Sequence, residues 1–345
     1  MRVGLIARAE TARGLGIQSR NFYDHMPVSS TLLVEMPNPD SALDVAGYGE
    51  NVLRVPVDTR HHTLPEDAVR DWLRTVDVVF SVETTYDWRL PDWARDAGCR
   101  TVIQGNPEFY RHHIPAFSGQ AQPDEWWWPT SWRPIIELPN GPVMPVPMPH
   151  RPRAAAVARV DEPLRILHVI GKRAHLDRNG TDIIVQSMRG LIRPVIFRVH
   201  GLEADLSPDI PRSKRVTYDF QLAETHDRWS MYEGQSLLVI PRKYGGLCLP
   251  ALEAAACGVA VAMPRFSPND ELAQLLFRIR GTRPTNMACG RIELASMHPH
   301  DVSALINDAT VEQINEAQDR AYAEVPRWSE WRGRYIDELE RVASS

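Results

Sequence analysis

The chain has almost no lysine, little cysteine and no long hydrophobic run. Lys172, Lys214 and Lys243 are the only lysines among 39 basic residues, a bias that reflects base composition in the gene more than chemistry. Cys99, Cys248, Cys257 and Cys289 show no C-x-x-C spacing, which argues against a disulfide framework or a zinc site and for reduced thiols. No apolar stretch approaches the ~20 residues that cross a bilayer, so no membrane span is expected. The opening Met1 to Arg8 has an apolar part of only about five residues, against the roughly 7–15 of a signal-peptide core. It reads as a first buried strand, and a cytoplasmic location is expected. The histidine pairs His61-His62, His112-His113 and His298/His300 read as solvated loop residues, because adjacent side chains point apart; no metal site is expected.

At 345 residues, 43% hydrophobic and 24% charged, the chain suits two domains of ordinary size. Of the net charge of −5, residues 1–150 carry more than the whole, with 13 arginines against 19 acidic side chains. Neither half has the footprint of a duplex-DNA wrapper. In the N-terminal half, short Val/Ile/Leu-rich runs at 3–7, 31–34, 76–82 and 101–104 read as buried parallel strands. A helix is expected at 90–97, stopped by Gly98. Six prolines between Pro139 and Pro152 interrupt this alternation, and the linker is placed at about 134–163. Strands then resume at 164–170, 194–200, 215–218, 236–240 and 259–263, with helical segments at 180–190, 225–233 and 251–256. The expected architecture is α/β with two Rossmann-like doubly wound domains, 1–150 and 151–325. A terminal helix, 326–345, is expected to cross back to the first domain.

The most informative stretch is 240–258, Ile-Pro-Arg-Lys-Tyr-Gly-Gly-Leu-Cys-Leu-Pro-Ala-Leu-Glu-Ala-Ala-Ala-Cys-Gly. A strand ends at Ile240, the turn Gly245-Gly246 follows, and a helix opens near Leu249-Pro250, where proline's missing N–H costs nothing. Gly258 supplies the helix stop. Backbone N–H groups at such a turn approach an anion at the helix N-terminus. Glu253, one turn in, can accept the two hydroxyl hydrogens of a ribose. Phosphate at the turn and ribose at the carboxylate describe a nucleoside diphosphate.

This segment resembles the donor-site signature of retaining glycosyltransferases of the glycogen-synthase-like kind, whose pattern runs Glu-Gly-Phe-Gly-Leu-Pro-x-Leu-Glu and then a small-residue helix ending Cys-Gly. Gly246, Leu249, Pro250, Leu252, Glu253, Cys257 and Gly258 match it, and the family's first Glu falls on Gly245. The resemblance implies a GT-B fold, two Rossmann-like domains facing a cleft, and retention at the anomeric carbon without a dedicated protein base. It also implies diphosphate-binding cations after the first strand of the second domain. Lys172 matches one of them; Asn179 holds the place of the other, leaving Arg173 or Arg178 to stand in. The chain has no Asp-x-Asp, the metal–diphosphate signature of the other large glycosyltransferase fold. The implied transfer is therefore metal-independent, with the nucleotide-sugar, most simply a UDP-sugar, as co-substrate and no further cofactor.

The N-terminal half is similar to a group of small, often phage-encoded glycosyltransferases. The resemblance lies in Arg8-Ala9, Gly14-Leu15-Gly16-Ile17-Gln18, 81–87, 104–110 and 128–132. Glu83, Tyr86 and Gln104 to Glu108 follow strands, where a doubly wound sheet lines its ligand crevice, and are candidates for donor-sugar or acceptor contacts. Gly14 and Gly16, with Glu35 about 20 residues on, also suggest a dinucleotide fingerprint and an NAD-dependent oxidoreductase. The third glycine is Ser19, which weakens that reading. Trp126-Trp127-Trp128 suits stacking on a base or sugar, or packing under the linker. The resemblance leaves the acceptor as hydroxymethylated pyrimidine DNA or a virion protein, and Gly245 keeps open a catalytically weakened sugar-nucleotide-binding protein.

Overall fold

In a computed structural model, residues 1–345 are described except 11–13, 37–42, 44, 59, 61–62, 113–121, 133–137, 171–175, 202–209, 223–226 and 288–289. The chain forms two compact units. One holds Met1–Pro147 and Pro326–Ser345, the other Met148–Met287 and Arg291–Val325.

The first unit is built on β1 (Val3–Arg8), β2 (Val28–Glu35), β3 (Val52–Pro56), β4 (Val78–Val82), β5 (Arg100–Gln104) and β6 (Glu125–Trp127). Its sheet is parallel throughout, in the order β3-β2-β1-β4-β5-β6. Helices α1 (Gly14–His25), α2 (Glu66–Leu73) and α3 (Leu90–Asp96) lie between strands. Every residue of β4 is buried, because a parallel sheet is covered on both faces and its strands read as continuous apolar runs. The edge strand β6 escapes that reading because it is three residues long and begins with a glutamate.

The tryptophan run is core. Strand alternation sends Trp127 to one face, among Phe22, Phe80 and Tyr335, and Trp126 and Trp128 to the other, where they stack 5.6 Å apart beside Ile103. Trp128 also holds the proline-rich segment: its backbone pairs with Pro142 and Met144, and its indole N–H donates to Pro139 O at 3.1 Å. These rings pack beside that segment, and all three are buried.

The second unit contains β7 (Leu164–Val169), α4 (Thr181–Ser187), β8 (Val195–His200), β9 (Val216–Gln221), β10 (Leu237–Val239), α5 (Leu249–Ala256), β11 (Ala260–Pro264), α6 (Asn269–Leu272) and β12 (Leu275–Phe277). The order β12-β11-β10-β7-β8-β9, again parallel, is the same winding as in the first sheet. A hairpin of β13 (Gly281–Met287) and β14 (Gly290–Ser296) follows, then α7 (Pro299–Asp308), α8 (Val311–Glu324) and α9 (Trp328–Ala343). Where a helix is expected at 225–233, the described residues hold only a 3-10 turn, Arg228–Tyr232, started by Asp227 accepting from Trp229 N.

Helix α9 belongs to the first unit. Trp328, Tyr335, Leu339 and Val342 recur at helical spacing and bury one face among Phe22, Phe80 and Trp127. Tyr335 O–H donates to Pro145 O at 2.9 Å and accepts from Gln104 at 2.8 Å. Among the described residues no helix is long and apolar enough to cross a membrane.

Candidate functional site

In a doubly wound sheet, ligands gather at the carboxyl ends of the two strands where the winding reverses. In the second unit those strands are β7 and β10. Two of the segments singled out in the sequence, 178–182 and 240–258, follow these two strands in the chain. Lys172 and Arg173 lie outside the described residues. The rest of the β7 loop is tied to the β10 loop. Lys243 N donates to Arg178 O at 2.9 Å, and Lys243 Nζ reaches Leu176 O at 3.0 Å and Asp177 Oδ2 at 3.2 Å. Gly180, at φ 71°, lies so close to Pro241 that any Cβ would overlap the Pro241 carbonyl. Arg178 is half-buried, with its guanidinium 6.0 Å from the Tyr244 ring, beside the glycine turn.

Asn179 does not replace the family's lysine as a charge. It is buried and donates to Val169 O at 3.0 Å, closing the loop onto the end of β7. His168, fully buried on β7, receives Thr181 O–H at Nε2 and donates from Nδ1 to Val239 O, each at 2.9 Å in the tautomer these partners require. Burial pulls its pKa down to about 4, partly opposed by the Val239 contact. One neutral imidazole thus joins β7, β10 and the start of α4.

The turn itself is built around a buried cation. Arg242 is 2 % exposed; its Nε donates to Tyr244 O at 3.0 Å, and Nη2 donates to Leu247 O. Gly245 has φ 117°, a region that disfavours a Cβ. The family's glutamate is thus replaced by a residue that this backbone requires. Gly246 is buried in the same turn. Helix α5 begins at Leu249, with Pro250 in its first turn.

Glu253 is not a solvated helix residue. It is 4 % exposed, Oε2 accepts from Tyr232 O–H at 2.8 Å, and Oε1 lies 3.1 Å from Arg228 Nε, off the hydrogen-bond direction. Desolvation raises its pKa, opposed first by the Arg228 charge and then by the Tyr232 hydrogen bond. Tyr232 and Arg228 escape a reading of the sequence because the 3-10 turn carrying them has no ligand motif; a buried glutamate in need of partners is the only pointer.

In the first unit, winding reverses between β1 and β4. Arg8 and the fully buried Glu10 form a 2.6 Å ion pair after β1. After β4, Glu83 and Tyr86 both hold left-handed backbones, φ 62° and 63°. Such conformations are uncommon away from glycine and cluster at functional sites. Asn106 Nδ2 donates to Glu83, and desolvation raises the Tyr86 pKa, with Arg8 opposing it and Glu83 and Glu10 adding to it. Glu108 is buried in the turn after β5. Gln104 faces inward, both its amide contacts going to Met144 O and Tyr335, so it is a brace and not a ligand contact.

Gly14 and Gly16 stand in the first turn of α1 and not in the turn ahead of it. They therefore do not form the phosphate-hugging turn that a dinucleotide fingerprint needs. A recess of about 560 Å³, lined by Tyr110, Asp124, Glu125, Trp126, Leu138 and Asn140, opens beside the start of β6, not at the strand ends that hold ligands in this topology. Among the described residues, no three His, Cys, Asp or Glu side chains gather as a metal site.

No protein-family model matches the chain, and no curated protein sequence matches it. Solved structures do match along the whole chain. The apo lipopolysaccharide outer core galactosyltransferase WaaB is similar at TM-score 0.64 with 13% identity, over 98% of this chain and all of that one. Anabaena HepE in complex with UDP gives TM-score 0.66 at 10% identity, over 99% of this chain and all of that one. MurG of Acinetobacter baumannii gives 0.57 at 12% identity, with both chains fully covered. The fold is GT-B. In a GT-B chain the two strand-end clusters described above stand at equivalent points of two equally wound sheets, and among the described residues the one in the second unit carries a glycine turn ahead of its helix.

Proposed function

We propose that the chain is a glycosyltransferase that moves a sugar from a nucleoside diphosphate donor, a UDP-sugar, to an acceptor hydroxyl with retention. The observation that carries this reading is the 240–258 segment at the reversal point of the second sheet. There a strand end, a glycine turn and helix α5 carry Glu253, and the neighbouring β7 loop carries Arg178, at the strand ends where this topology binds nucleotides. The α5 amides and the arginines and lysine of the β7 loop would hold the departing diphosphate and stabilise the charge that develops on it. Glu253 would hold the ribose. Glu83, Tyr86 and Glu108 would contact the sugar or the acceptor. That HepE has been captured with UDP and with UDP-glucose supports the donor class. The acceptor classes carried forward are hydroxymethylated DNA, protein, and a cell-envelope or small-molecule hydroxyl.

Incubation with a set of labelled UDP- and GDP-sugars, with and without these acceptors, tests the proposal, and the anomeric configuration of the product tests retention. Donor binding without hydrolysis or transfer would instead support a sugar-nucleotide-binding protein, the reading that Gly245 favours by withholding the usual carboxylate.

A further inference from the structure

Glu253 is a carboxylate inside the core of the second unit, and the two groups that reach it both come from the 3-10 turn Arg228–Tyr232. Tyr232 is itself fully buried, packed among Leu167, Leu238 and Ala254, so its hydroxyl has one orientation to offer. That hydroxyl occupies Oε2. Oε1, also buried, makes no well-aligned hydrogen bond but faces the Arg228 guanidinium, whose Nε lies 3.1 Å away. A buried carboxylate held by a hydroxyl on one oxygen and a guanidinium against the other has its orientation set by both.

We propose that Tyr232 and Arg228 are positioning residues of the donor site: the Tyr232 hydroxyl holds Glu253 at Oε2 and the Arg228 charge lies against Oε1, so that together they fix the carboxylate that meets the ribose hydroxyls. This rests on the reading of Glu253 as the ribose ligand and adds to it the two residues that would hold its carboxylate in place. The arrangement has a consequence for pH. Only the ionised carboxylate accepts both ribose hydrogens, and burial opposes ionisation while Arg228 and Tyr232 favour it. The other titratable groups around the pair are Cys248 and Cys257, whose charges would act on Tyr232, and Arg151, Asp227 and Glu233, which act on Cys257. Burial also pushes the Cys257 thiol up to about 11, so it stays neutral near pH 7.

The test is calorimetric titration, between pH 5 and 8.5, with the tightest-bound member of a UDP-sugar and GDP-sugar set. The diphosphate of such a donor carries no proton that titrates in that range. Tyr232→Phe keeps the ring in the core and removes only the hydroxyl. Arg228→Gln alters a side chain that is 28% exposed, and so carries the test if the Phe variant does not fold. Each should weaken binding about tenfold at pH 7.5, and each should move the acid loss of affinity upward by about one pH unit. Glu253→Gln should show weak binding with no acid loss.

Weakened binding with the acid limb unmoved would mean that the turn is merely structural and would overturn the proposal. So would native affinity and a native limb in the folded Phe and Gln variants while Glu253→Gln is impaired, although the ribose reading would then stand. Native affinity in Glu253→Ala would remove the ribose reading itself.

Discussion

Three residues of the second unit carry the predictions for the proposed donor site. Glu253→Ala should cost roughly 1.5–3 kcal/mol of donor binding, the range for hydrogen bonds to a charged group, and calorimetry with UDP measures it. Gly245 departs from the family pattern, and its φ of 117° gives the reason. Restoring the family residue with Gly245→Glu should therefore lower the melting temperature and weaken donor binding, since a strained backbone position costs about 1–3 kcal/mol. Recovery of tighter, more selective donor binding in that variant would contradict the backbone argument. His168 makes a pH prediction. Its folded pKa of about 4 lies below an unfolded value near 6.5, so at low pH the unfolded chain takes up a proton that the folded one refuses. Its contribution to stability is complete above pH 6.5 and is lost as pH falls from there toward 4, by up to roughly 3 kcal/mol. Urea unfolding of the native protein and His168→Asn at pH 7.5 and 5 checks this: the variant should be less stable at pH 7.5 and should show a smaller loss on acidification.

At the level of elements, the two loops at the reversal point work as one piece. Gly180 allows the β7 loop to touch Pro241, Lys243 crosses to Leu176 and Asp177, and Arg242 holds the glycine turn from beneath. Leu176 and Asp177 have left-handed backbones, φ 60° and 48°, while Asp177 also accepts from Thr181 N and Asp182 N. Replacing Arg242 by methionine should leave Tyr244 O and Leu247 O without their donor. Donor affinity should fall at least as much as in Glu253→Ala, with faster proteolysis of the turn; an unchanged cleavage pattern and Kd would show that the turn holds its shape alone. The strands and the α5 segment were legible in the sequence because buried parallel strands are continuous apolar runs and because the segment's glycines and proline act locally. The 3-10 turn at Arg228–Tyr232 was not: its importance lies in where Tyr232 O–H ends, 21 residues away along the chain.

For the whole molecule, the predictions concern chemistry rather than single contacts. If the diphosphate is met by arginine, lysine and backbone amides as proposed, activity should survive EDTA. Loss on chelation with recovery in Mg²⁺ or Mn²⁺ would contradict the site as drawn. Because Gly245 presents no carboxylate to a donor hydroxyl, discrimination among donor sugars should be shallow. Competition among UDP- and GDP-sugars measures it, and a single hexose preferred by about 10⁴-fold would mean that another residue reads that hydroxyl.

The sequence by itself determined the α/β class, the doubly wound halves and the position of the glycine turn before a short helix. These follow from apolar periodicity and from the backbone habits of glycine and proline, which act over a few residues. Only the tertiary structure decided that Trp126, Trp127 and Trp128 are core, that Gln104 is a brace, and that Glu253 shares its carboxylate with Tyr232 and Arg228. The reason is common to all of them. A polar or aromatic side chain suits a ligand and a packed interior equally well, and which one it meets is set by residues elsewhere in the chain that folding brings into contact with it.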